Sequence, residues 1–190
     1  MSRLARGILF TIGYVAVGLV AVVAVGFLTY HGQCFRFPEP MLSLLLLGLM
    51  GGLIYAAAQM YDGRYTVLVI ALSFVVRVAL TPRSFSIVAA ALYTLVVGFA
   101  LVGAAYAQKS LTGLKFGRFI SMGLIVGAGY ALMTLLFVSM WNTQTGLSTF
   151  WSQTLLGAKL GGAMGLGFEL VDLIGPRPEP EPVLDTGVLR

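Results

Sequence analysis

Apolar residues run along this 190-residue chain in six long blocks, at residues 7–30, 40–61, 65–80, 85–108, 118–141 and 150–174. Short breaks carrying charge, proline or glycine separate them. A helix needs about 20 apolar residues to cross a hydrocarbon core, and all the blocks but the third have that length. The pattern predicts an all-α integral membrane protein, a bundle of about six transmembrane helices over residues 1–175. The third block gives only about 24 Å of helix against a core of about 30 Å. Arg77, near its end, completes the crossing if its guanidinium snorkels outward past the last turn. The alternative is a re-entrant hairpin of the third and fourth blocks.

The breaks themselves are informative. Pro40 suits an early helical position, where its missing N–H costs nothing. All seven prolines lie outside the interiors of the blocks, so proline kinks are not expected. After Gly175 the chain changes character. Pro176-Arg-Pro-Glu-Pro-Glu-Pro182 alternates proline with charge, which favours an extended, solvated conformation. Residues 176–190 therefore read as a Pro/Glu-rich cytoplasmic tail, extended or disordered, and able to offer a docking peptide to a cytoplasmic partner.

Composition supports lipid as the solvent. The chain is 58% hydrophobic and 10% charged, with a mean hydropathy of +0.94. A soluble domain of this length carries near a quarter charged residues and could not hide so much apolar surface. The net charge is +5 and the pI near 9.6. The Lys and Arg residues flank apolar blocks instead of lining a basic helix face, so headgroups and not nucleic acid are the expected counterpart. The first block is too long for a signal-peptide core and reads as an uncleaved span.

An inside N-terminus puts Arg3, Arg6, Arg64, Lys109, Lys115, Arg118, Arg177 and Arg190 on the cytoplasmic side, leaving Arg36, Arg77 and Arg83 outside. That bias predicts N-in/C-in, with Trp141, Phe150 and Trp151 in an outer aromatic belt. The expected location is the cytoplasmic (inner) membrane of a bacterium.

Glycines cluster on certain blocks. Gly48 and Gly52 make a small-xxx-small step in the second, and Gly157, Gly161 and Gly165 repeat at four-residue spacing in the sixth. In lipid such stripes allow two helix backbones to approach closely. The second block also reads Gly51-Gly52, Gln59, Asp62, and the sixth reads Gly161-Gly162, Glu169, Asp172, at identical spacings. A weak parallel repeat of helical hairpins would produce this echo.

Lys159 is the most informative charge, because it falls near the middle of the sixth block, where an unpaired charge costs a few kcal/mol. Glu169 lies ten residues on, about 15 Å along the axis, too far to pair with it. Lys159 is expected either to snorkel to the outer headgroups or to line a polar path. Such a path would run between the second, fifth and sixth helices, with Glu169, Asp172, Gln59 and Asp62 as further candidates. Arg36, Arg77 and Arg83 are either scattered headgroup contacts or, if clustered, an anion-attracting mouth leading toward Lys159. Glu169 and Asp172 share a helical face and could bind a proton or cation, but pairing with Arg118 or Arg64 from adjacent helices is the favoured reading.

Catalytic signatures are not found. His31 and Cys34 are a single pair, and a closed zinc site needs four ligands. Asp62-Gly-Arg64 is only a fragment of the aspartate-rich signature of alcohol phosphatidyltransferases, and no Gly-x-Ser-Gly accompanies a serine nucleophile. No phosphate-binding glycine loop occurs, and one histidine cannot supply bis-histidine haem ligation. No cofactor, metal site or enzymatic activity is expected. Two functions fit: transport or membrane-embedded binding of a small solute or ion, or a non-catalytic accessory or scaffold subunit of a larger membrane complex. Either would sit in the lipid bilayer as a homo-oligomer or with partner membrane subunits.

Overall fold

The computed structural model describes residues 3–30, 38–60, 64–80, 87–110, 117–141 and 146–174. Those residues form six helices and no strand: α1 (Arg3–Tyr30), α2 (Pro38–Met60), α3 (Arg64–Leu80), α4 (Ile87–Ser110), α5 (Gly117–Trp141) and α6 (Leu147–Asp172). The tail, His31, Cys34, Arg36, Asp62 and Arg83 lie outside the described residues.

Four helices are long and apolar enough to cross a membrane, over Ala5–Thr29, Met41–Met60, Ala90–Ala107 and Phe119–Ser139. α3 is apolar over Tyr65–Ala79 but short. α6 is long, yet Ser148, Thr149, Ser152, Gln153, Lys159, Glu169 and Asp172 dilute its apolar content. Hydroxyls inside these apolar helices bond their own backbone. Thr94 donates to the Ala90 carbonyl, Thr134 to Tyr130 and Thr154 to Phe150, each at 2.9 Å. This i−4 bond satisfies a polar group where no water is at hand.

The helices pack as a ring with one addition. α1 lies against α2, α2 against α4, α4 against α5, α5 against α6, and α6 back against α1. α3 sits outside the ring, on α2 and α4. The two most extensive pairings, α5 with α6 and α1 with α2, are built on glycine. A Cβ at Gly52 would lie 2.6 Å from Val15 Cα, and one at Gly48 would lie 2.8 Å from the Gly18 carbonyl oxygen. On α6, a Cβ at Gly161 would run into the Met122 carbonyl, and one at Gly157 would lie 2.8 Å from the Tyr130 ring. Any side chain at these positions forces the backbones apart.

Large side chains fill the centre of the ring. Tyr14, Leu47, Ile54, Tyr55, Leu101, Met122, Leu160, Met164 and Phe168 are fully buried. Tyr55 stacks on Phe168 with ring centroids 4.5 Å apart, and Tyr14 meets Tyr55 edge-on at 4.9 Å. The outward faces are apolar as well: Ile12, Val20, Leu68, Leu72, Phe99, Leu124 and Leu135 are all exposed.

Candidate functional site

Polar chemistry gathers at three places. The first is the end of α6. The Tyr14 hydroxyl, on a side chain with no exposed surface, donates a hydrogen bond to the Asp172 carboxylate. A tyrosine buried in an apolar bundle needs such a partner for its hydroxyl. Asp172 thereby closes α6 onto α1, where Val171 also packs against Gly13. Nearby on the chain, Glu169 is half-buried. Gln59, on α2, donates from Nε2 to the Ala105 carbonyl at 3.1 Å and joins α2 to α4.

The second cluster spans α2, α3, α4 and α5. Arg77 is only 8% exposed. Its guanidinium carbon lies 4.0 Å from the centre of the Tyr93 ring, and Nη2 donates to the Ser43 hydroxyl at 3.3 Å. Tyr93 and Tyr130 share a hydrogen bond between their hydroxyls at 2.8 Å. Arg77 therefore does not snorkel outward. Its long side chain turns into the bundle, because the aromatic face of Tyr93 and the hydroxyl of Ser43 replace water there. Of the three arginines expected at an outer mouth, Arg36 and Arg83 lie outside the described residues.

The third feature is Lys159. It is exposed, on the outer surface of α6, in a stripe with Ser152, Leu155, Leu166 and Leu170. The glycines explain its direction. Gly157 and Gly161 face α5, and Lys159, two residues from each, lies about 200° around the helix from both. Docking the glycine stripe turns the lysine away from the bundle. Lys159, Glu169 and Gln59 are thus not brought together around one path, and the space between α2, α4, α5 and α6 holds Leu101, Met122 and Met164.

Sequence reasoning missed Tyr14, Tyr55, Tyr93, Tyr130 and Ser43. The available signal was a tyrosine well inside each of four apolar blocks, every one with a hydroxyl to satisfy. The outward aim of Lys159 was also available, from its offset against the glycine spacing. Comparison with family models, curated proteins and solved structures found no match to this chain.

Proposed function

We propose that the chain is a non-catalytic, membrane-embedded subunit that assembles laterally with other membrane helices. All six helices take part in the membrane domain, both ends face the cytoplasm, and a bacterial cytoplasmic membrane suits the charge pattern. The observation that carries this reading is Lys159, exposed on the outside of a bundle whose centre is filled by buried apolar and aromatic side chains. A solute path needs polar groups facing inward along a cavity. A subunit needs a packed interior and an outer surface that lipid alone does not satisfy, and α6 supplies that surface.

The test is native electrophoresis of mildly solubilised membranes, beside flux measurements in proteoliposomes. A stable complex heavier than one chain with its detergent is expected, with no solute flux that depends on Lys159. A lone monomer under all mild conditions, or a flux abolished by Lys159→Met, would overturn the proposal.

A further inference from the structure

Resting on that reading, we infer that the partner on α6 is a transmembrane helix of another protein, bearing a carboxylate at the depth of Lys159. Among the described residues, Lys159 is the only charged side chain exposed more than two turns from a helix end. Around it the outward stripe of α6 is Leu155, Leu166 and Leu170, all exposed. The exposed mid-helix faces of α1, α3, α4 and α5 carry only apolar side chains and glycine. Lipid satisfies those faces but does not satisfy an ammonium group.

Depth decides between lipid and protein. Trp151 is exposed and meets Phe150 edge-on at 5.6 Å; an amphipathic indole marks the headgroup level. Lys159 is eight residues further, about 12 Å along the axis. Its side chain leans toward the helix N-terminus and recovers roughly 6 Å of that. The ammonium stays several ångströms inside the hydrocarbon, where an opposite charge is its best partner.

The same depth argues against a second copy. A two-fold pairing through parallel α6 helices would bring Lys159 beside its own equivalent, and like charges in low dielectric repel. Among the described residues no carboxylate is exposed at that level of the chain, which favours a different protein as the source of the counter-charge.

Two measurements test this. Native electrophoresis compares the full chain with Lys159→Arg, Lys159→Met and Lys159→Glu. The complex should survive Arg and be lost with Met and Glu. A complex unchanged in all three overturns the carboxylate partner but leaves the subunit proposal standing, whereas no complex in the parent chain overturns the subunit itself. The second measurement uses a synthetic leucine-alanine transmembrane peptide with one central Glu, or Gln in its place, in phosphatidylcholine vesicles at neutral pH. Energy transfer should show about tenfold tighter association of the Glu peptide, as one interhelical polar contact supplies. The Lys159→Met chain should bind both alike. Equal binding of the two peptides to the parent chain overturns the inference. So does depth-dependent quenching that places the lysine at the headgroups, or a Leu155→Cys disulfide linking two copies.

Discussion

Tyr14 combines two kinds of contact that separate substitutions can divide. Its ring packs edge-on against the stacked pair of Tyr55 and Phe168, and its hydroxyl holds Asp172. Tyr14→Phe keeps the ring and removes the hydroxyl's bond to Asp172. The expected loss is about 2 kcal/mol, read from unfolding in mixed micelles. Tyr14→Ala empties the ring's volume as well and should cost about 3–5 kcal/mol. Equal losses for the two variants would mean that the ring contributes nothing, and an unchanged Tyr14→Phe would mean that the hydroxyl contributes nothing. Arg77 is likewise specific in shape. A planar guanidinium lies over Tyr93, so Arg77→Lys, which keeps the charge, should recover little of the stability lost in Arg77→Met.

At the scale of the element, helix pairing depends on what glycine leaves out. Gly161→Val places a branched side chain against the Met122 carbonyl and Val126, and should prevent α6 from seating on α5. The expected result is loss of the folded bundle, seen as a collapsed melting transition and increased proteolysis. Gly103 is the contrast. A Cβ there finds only an Ile125 methyl at 3.8 Å, an ordinary contact. Gly103→Ala should leave the fold intact and raise stability by about 0.5–1 kcal/mol, because alanine restricts the unfolded chain more than glycine does. α3 depends on Arg77 in another way. It lies outside the ring and touches only α2 and α4 extensively. Arg77→Met should therefore speed hydrogen exchange across α3 before any other helix.

For the whole molecule, the six crossings proposed above would place both ends on one side. Reporter fusions at residues 1 and 190 should both give the cytoplasmic signal, while opposite signals would mean that α3 or α6 does not cross. The ring also predicts a graded response to labelling from lipid. Cysteines at Leu72, Leu124 and Leu135 should react with membrane-dissolved reagents, and cysteines at Leu101 and Met164 should not. At Leu155 and Leu166, labelling should be strong in the isolated chain and weak in the assembled complex.

Six helical blocks were legible because apolar length and the breaking residues are local properties. So was the use of glycine for close packing: Gly48, Gly52, Gly157 and Gly161 all meet a neighbouring helix. Which helix each one meets was not legible, since outward-facing and buried positions are both apolar here and periodicity hardly separates them. Tertiary structure put α1 beside α6, moved α3 outside the ring and turned Arg77 inward. It did so because pairing depends on shapes and hydroxyl partners contributed by distant segments, such as Tyr93 for Arg77 and Asp172 for Tyr14. Lys159 lies between these cases. Sequence alone determined its depth along α6, and packing of the glycine face against α5 decided that it points out of the bundle.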